Sequence, residues 1–215
     1  MVLYLETAIA AFGWGGLNYF VKKYTGFSDR MKYHLVPTIN SSLMLALSGY
    51  QLLTPISDEM TYTQNVYLSM IRGYFIYDMF NVVRDKNYIY IFHHLISISI
   101  MNFFEKYQLG KIFCQSLFLG ELTNPLLQTW TYAKNTDKST DLFRVTNHLF
   151  TGSFLLVRGL YMPYYFFKTL TNIYDNSEIE NTDKSFIITV SILFNLGNFY
   201  WLKYLLKGYK KWILG

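Results

Sequence analysis

Charged residues are scarce in this chain of 215 residues. Only 15% of the residues are Asp, Glu, Lys or Arg, whereas about a quarter is usual for a soluble domain. Hydrophobic residues make up 52% of the chain and aromatic residues 20%. This composition argues against a soluble globular protein and predicts a polytopic membrane protein with little room for a separate soluble domain.

Cysteine is almost absent, because Cys114 is the single one. One thiol excludes an intrachain disulfide and a cysteine metal cluster, and its apolar neighbours predict a packing role. The net charge of +5 does not indicate nucleic acid as a partner, because the basic residues form short clusters between apolar runs. Basic residues are also missing before the first apolar run, so we expect no cleaved secretory signal.

Apolar windows of roughly 17 to 25 residues, the length that crosses a bilayer core, recur along the chain. Seven transmembrane helices are predicted, and the fold class is therefore all-α. The segments are residues 2–21, 35–53, 65–83, 88–104, 112–133, 143–168 and 185–206. The first is the weakest of the seven, since it contains Glu6 and Asn18, and the alternative for it is a helix that lies in the membrane interface.

The loops between these segments differ in charge, and cytosolic loops are usually the ones rich in Lys and Arg. One set of loops carries Lys22, Lys23, Arg30, Lys32, Arg84, Lys86, Lys134, Lys138, Arg144, Lys203, Lys207, Lys210 and Lys211. The alternate loops carry Asp58, Glu59, Asp175, Glu178, Glu180 and Asp183, together with Lys106 and Lys111. We therefore expect a lumenal N-terminus and a cytosolic C-terminus.

Polar residues within the segments recur at steps of three and four, which places them on shared helix faces. They are Tyr74, Tyr77, Asp78 and Asn81 in the third segment, Glu121, Asn124 and Gln128 in the fifth, Arg144, Asn147, His148, Thr151 and Arg158 in the sixth, and Asn195 and Asn198 in the last. Such stripes predict a helical barrel around a polar chamber. For the Asn and Gln side chains, the alternative to lining a chamber is hydrogen bonding between helices. Arg158 needs a buried acidic or carbonyl partner, for which Glu121 is the candidate.

His93 and His94 lie inside the apolar stretch Tyr88 to Phe104. Ionisable side chains in membrane helices are costly and usually functional, so this pair is the leading candidate for chemistry. No metal site is predicted, because neighbouring residues on a helix diverge by about 100° and cannot easily share one ion.

Three elements of the sequence together resemble the TLC-domain family. They are Gly73-Tyr-Phe-Ile-Tyr-Asp78, His93-His94-Leu-Ile-Ser97 and Gly120-Glu-Leu-Thr-Asn-Pro125, and the resemblance covers Met31 to Lys207. It implies six core helices, here preceded by one more, in the endoplasmic reticulum or a related membrane, and a role in lipid metabolism. The chain divides accordingly into residues 1–30, a TLC domain at 31–207 and a basic cytosolic tail at 208–215.

Ceramide synthases of this family carry a His-His pair and a His-Asp-x-x-Asp element. His93 and His94 match the pair, whereas Gly120, Glu121 and Asn124 replace the second element. Asn40 also stands where the family often has histidine. These departures make the chain more similar to the smaller TLC-domain-containing proteins and put acylation of sphingoid bases in doubt.

Two functions remain open. In the first, acyl-CoA is a substrate rather than a cofactor, and the catalytic residues are His93, His94, Asp78 and Glu121. The residues predicted to bind substrate are Tyr74, Tyr77, Asn81, Asn124, Gln128, His148 and Arg158. In the second, a non-catalytic protein binds or moves membrane lipids. A seven-helix receptor or transporter is not favoured, since we find no inverted repeat. The sequence allows a homodimer without indicating one.

Overall fold

The computed structural model describes residues 2–54 and 58–214. The side chains of residues 2–4, 29, 30 and 33 lie outside the description, and so does the predicted topology signal of Arg30. No strand occurs in the described ranges. The predicted all-helical class is confirmed.

Nine α-helices and one π-helical segment follow one another along the described chain. They are α1 (Val2–Tyr24), α2 (Asp29–Leu53), α3 (Tyr62–Arg84), α4 (Tyr88–Lys106), α5 (Gly110–Glu121), α6 (Asn124–Thr136), α7 (Asp141–Phe154), the π-helix (Leu155–Tyr161), α8 (Met162–Asp175) and α9 (Asn181–Leu214).

These elements correspond to the seven predicted segments. The fifth segment is divided into α5 and α6 by a turn, and the sixth runs continuously through α7, the π-helix and α8. Among the described helices, α9 is the one whose length and composition alone suffice to cross a membrane. The four helices α5, α6, α7 and α8 have 12 to 14 residues each and are too short to cross a membrane individually.

Local sequence sets where several helices begin and end. Thr61 and Gln64 form a capping box at the start of α3, in which each side chain accepts a hydrogen bond from the other residue's backbone N–H. The three-residue connections after α3 and α4 each contain a non-glycine residue with positive φ, Lys86 at 54° and Gln108 at 52°. The tight turn after α3 allows α4 to pack against α3.

Two compact units make up the chain, Met1–Phe118 and Leu119–Gly215. In the first unit α3 packs against α1, α2 and α4, around a cluster of Trp14, Val21, Val36 and Tyr74. In the second unit the π-helix packs against α7, α8 and α9. Its apolar cluster comprises Phe150, Phe154 and Leu202, with Leu126, Leu127, Trp130, Trp201 and Leu205 packed around them.

Gly73 allows α1 and α3 to approach each other closely. A Cβ atom built on Gly73 would lie 2.6 Å from the Cβ of Ala10 and 2.8 Å from both the Ala11 nitrogen and the Thr7 carbonyl oxygen. Two of these three atoms belong to the backbone of α1 and cannot move without shifting the helix. The glycine of the Gly-Tyr-Phe-x-Tyr-Asp element is therefore required by helix packing.

We expect Gly73→Ala to lower the free energy of unfolding by about 1–3 kcal/mol, because the added methyl group overpacks the contact between α1 and α3. Gly16→Ala on α1 is the matched control, since a Cβ there meets nothing within 4 Å. Thermal unfolding can be followed with a thiol-reactive dye, because the buried Cys114 is the single cysteine and reacts only on unfolding. Equal melting temperatures for the two variants would contradict this explanation.

Candidate functional site

His94 and Asp78 form a hydrogen-bonded pair in the first unit. They lie on α4 and α3, each about two helical turns from the short connection that joins these helices. Nε2 of His94 is 2.9 Å from Oδ2 of Asp78. The imidazole is only 4% exposed, and the Asp78 side chain is 23% exposed. The turn after α3 thus brings together two residues that the sequence placed in different segments.

The carboxylate determines which nitrogen of His94 carries the proton. An ionised carboxylate only accepts hydrogen bonds, so Nε2–H of His94 donates to Asp78 and the lone pair of the neutral ring lies on Nδ1. In the described structure Nδ1 is buried and has no hydrogen-bond partner. His94 therefore has one nitrogen fixed by Asp78 and a second, basic nitrogen whose lone pair has no partner among the described residues.

Phe75 packs against both histidines. Its ring centroid is 4.9 Å from that of His94 and 6.2 Å from that of His93, and the two imidazole centroids are 5.7 Å apart. His93 is half-buried, whereas His94 is buried. Among the residues that the structure describes, no three His, Cys, Asp or Glu side chains are grouped to hold a metal ion. The two adjacent histidines thus occupy different environments.

The predicted binding residues of α3 divide between packing and the neighbourhood of Asp78. Tyr74 is buried in the apolar cluster, 5.6 Å from Trp14 between ring centroids. Tyr77 packs against the same cluster, 6.2 Å from Tyr74. Asn81, one turn beyond Asp78, is half-buried. Tyr74 thus contributes to the contact between α1 and α3.

Arg158 is the centre of a buried network in the second unit. Nε of Arg158 donates to Oγ1 of Thr123 at 2.9 Å, and Nη1 donates to Oδ1 of Asn198 at 3.3 Å. Nη2 donates to the Gly120 carbonyl and, at 2.9 Å, to Oδ1 of Asn124. A buried guanidinium thus satisfies acceptors at the break between α5 and α6 and on α9.

Asn124 connects Arg158 to Glu121. Its Nδ2 donates to Oε2 of Glu121 at 2.9 Å, while its Oδ1 accepts from Arg158. The buried partner expected for Arg158 is therefore found at the carbonyl of Gly120, and Glu121 is joined to Arg158 through the amide of Asn124. The catalytic role of Glu121 stays a prediction.

The backbone around Arg158 is π-helical, from Leu155 to Tyr161. Pro163 follows directly within the first turn of α8 and has no N–H to donate to the preceding turn. Single π-helical turns are rare and often mark functional sites. Pro163 inside the predicted segment 143–168 was the available signal for this irregularity.

Other polar residues of the second unit divide between packing contacts and an exposed end. Oδ1 of Asn147 accepts from Nε1 of Trp130 at 2.8 Å, which joins α7 to α6. Asn195 instead donates within its own helix, to the Ser191 carbonyl at 2.9 Å. His148, a predicted substrate-binding residue, is exposed and bonded to Tyr209, and Gln128 is half-buried.

A further buried ion pair was not anticipated from the sequence. Arg72 of α3 is 4% exposed and bonds to Glu105 near the end of α4. An arginine inside the apolar segment 65–83 was the available signal, because such residues require a partner in lipid. The pair links α3 and α4 on the other side of the His94–Asp78 pair from their connecting turn.

We expect Arg158→Met to lower the free energy of unfolding by about 2–4 kcal/mol, because several buried acceptors lose their donor at once. Arg144→Gln is the control, since Arg144 is exposed and its ion pair with Asp141, at 3.3 Å, should contribute little. Thermal unfolding of purified protein in detergent measures both. A melting temperature of Arg158→Met equal to that of Arg144→Gln would contradict the structural importance of this network.

Comparison with known proteins gives one family match. A search of curated proteins finds no match, whereas a family model described as the TLC domain matches residues 30–207. The match covers most of the chain and includes the His94–Asp78 pair and the Arg158 network. It confirms the resemblance seen in the sequence. The chain belongs to the TLC-domain family and is a membrane protein of a family that acts in lipid metabolism and homeostasis.

Proposed function

We propose that this protein transfers an acyl group from acyl-CoA to an amine or hydroxyl of a lipid, with His94 as the general base. The observation that carries the proposal is the 2.9 Å hydrogen bond between His94 and Asp78. A carboxylate in this position fixes the tautomer of the imidazole and stabilises its protonated form.

The proposed step uses the lone pair on Nδ1 of His94. Nδ1 takes the proton of the acceptor amine or hydroxyl while the acceptor atom bonds to the thioester carbonyl carbon. The carbon–sulfur bond then breaks, and the imidazolium returns the proton to the departing CoA thiolate. Asp78 balances the positive charge of the ring between these events. In a covalent variant, a histidine nitrogen attacks the thioester first and forms an acyl-imidazole.

We expect His94→Ala and Asp78→Asn each to reduce formation of the lipid product at least about 100-fold, the usual scale of general-base catalysis. Leu95→Ala is the matched control, since Leu95 is adjacent on α4 but 54% exposed. Untargeted lipidomics of cells expressing each variant, at equal protein levels, measures the product. Unchanged lipid profiles in both His94→Ala and Asp78→Asn would overturn the catalytic proposal.

The covalent variant has its own readout. Intact-mass measurement after incubation with acyl-CoA would detect an added acyl group, and His93→Ala and His94→Ala identify the ring that carries it. If the histidine variants lose the lipid product and the wild type shows no acyl adduct, direct proton transfer is favoured over the acyl-imidazole.

The second candidate is a non-catalytic lipid-binding protein, favoured by the network around Arg158. Asn124 and Gly120 occupy the element in which ceramide synthases carry acidic residues and a histidine, and here both bond to Arg158. This element then stabilises the fold instead of assisting acyl transfer. Lipid that copurifies with the wild type and with His94→Ala alike, without any new product, is the result expected for this candidate.

For the membrane arrangement we propose seven spanning helices in the endoplasmic reticulum, six of them forming a barrel around a polar chamber. The N-terminus is lumenal and the C-terminus cytosolic. Lys111, one of the two basic residues that weaken the charge asymmetry, is 3.7 Å from Asp58 of the same predicted lumenal side. The orientation is proposed from the Lys and Arg residues that are concentrated in the alternate loops.

The orientation can be tested with single cysteines introduced into a Cys114→Ser background. We expect Lys138→Cys, between α6 and α7, to react with an impermeant maleimide from the cytosol. Ser177→Cys, between α8 and α9, should react only after the membrane is opened. Both positions are exposed, so access depends on membrane side. The reverse pattern would overturn the orientation.

A further inference from the structure

Helix α9 is longer than a membrane crossing requires. Its 34 residues extend over about 51 Å at 1.5 Å per residue, whereas the hydrocarbon core is about 30 Å thick. The predicted apolar segment ends at residue 206, which leaves the last two turns, Lys207 to Leu214, beyond it. This part of α9 remains helical outside the apolar segment and needs an explanation of its own.

The last four turns of α9 have two different faces. Leu202, Leu205, Tyr209 and Trp212, at steps of three and four, form the face that packs within the second unit. Lys203, Lys207 and Lys210 follow the opposite face with the same spacing, and Lys211 lies beside them. All four lysines are exposed. We refer to these four residues as the lysine stripe.

Aromatic contacts fix the packed face to α7. The hydroxyl group of Tyr209 is 2.5 Å from Nδ1 of His148, and the ring of Trp212 is 5.2 Å from that of His148 between centroids. Trp212 also meets Phe143 edge to face, with centroids 5.8 Å apart. The end of α9 is therefore held against α7, and the lysine stripe points away from it.

Among the described residues, no carboxylate neutralises the charge of the lysine stripe. No Asp or Glu occurs between Lys184 and the last residue of the sequence. In the described part of the chain none of the four lysines has a carboxylate partner, and the nearby Asp141 pairs with Arg144. Four positive charges thus lie within about two helical turns on one exposed face.

We propose that the lysine stripe binds the headgroups of anionic phospholipids in the leaflet that surrounds the end of α9. With the C-terminus in the cytosol, as proposed above, this is the cytosolic leaflet, whose anionic lipids attract basic segments next to the membrane. The stripe begins in the predicted apolar segment and extends about 12 Å along the helix. Its charges therefore lie at the level of the headgroups or within about one Debye length of them.

Membrane lipid fits this surface better than a soluble polyanion because apolar side chains accompany the lysines. Leu206, Ile213 and Leu214 are exposed along the same turns, and Ile213 and Leu214 are 54% and 72% exposed. Lysine side chains next to such residues place their methylene groups against the hydrocarbon boundary and their ammonium groups among the phosphates. Tyr209 and Trp212 are also residue types that favour this boundary.

The test uses the full chain with Cys114→Ser and Leu214→Cys, labelled with a fluorophore at position 214 and reconstituted into phosphatidylcholine vesicles. Nitroxide-labelled phosphatidylserine or phosphatidylcholine is added at equal mole fraction. At low salt we expect phosphatidylserine to quench at least about twofold more strongly, because it concentrates at the lysine stripe. The ratio should approach one in 1 M salt, where the Debye length is about 3 Å.

The lysine stripe is tested by four simultaneous substitutions, Lys203→Gln, Lys207→Gln, Lys210→Gln and Lys211→Gln, which should bring the ratio to one. Arginine at the same four positions should preserve it, and Lys22→Gln with Lys23→Gln removes charge elsewhere and should leave it unchanged. Equal quenching by both lipids in the parent protein, or a ratio that survives the glutamine substitutions, would overturn the proposal. No acyl-CoA is present, so the result is independent of the catalytic proposal.

Discussion

Arg158 imposes the strongest constraint on the second unit, because a buried guanidinium must have its donors satisfied. The break between α5 and α6 supplies a carbonyl from Gly120, a hydroxyl from Thr123 and an amide oxygen from Asn124. The π-helix carries Arg158, and α9 adds Asn198. The turn between α5 and α6 and the π-helix thus meet at the guanidinium group of Arg158.

In the first unit two polar pairs join α3 to α4. Arg72 bonds to Glu105, and His94 bonds to Asp78 nearer the connecting turn. The two pairs differ in what they leave available. In the described structure the ion pair leaves a donor, Nε of Arg72, without a partner, whereas the histidine pair leaves the basic lone pair on Nδ1 of His94 without one. This difference is why the catalytic proposal rests on His94.

The structure gives a physical reason for the departure from the ceramide synthase pattern at Asn124. Asn124 can donate to Glu121 and accept from Arg158 at the same time, which an ionised aspartate at this position could not do. The amide therefore suits a network that stabilises helix packing. A reaction that uses a second acidic residue besides Asp78 would need one from outside this element. The proposed general-base transfer by His94 with Asp78 uses no such residue.

The sequence alone determined the helical class, the seven segments, the polar positions within them and the family. These properties are local, because a run of apolar residues or a step of three or four is read from neighbours in the chain. Pro125 is another local signal, because it has no N–H to donate to the Glu121 carbonyl, and the structure has a turn between Glu121 and Asn124.

Tertiary structure decided which polar groups meet. Periodicity placed His93, His94 and Asp78 in adjacent segments, but only the packing of α3 on α4 selected His94 as the partner of Asp78. Arg158 likewise required the backbone of Gly120, which no side-chain pattern encodes. Pairings of this kind depend on helix rotation and separation, because hydrogen bonds form only within about 3 Å. The rotation and separation of the helices are set by the packing of residues that are distant in sequence.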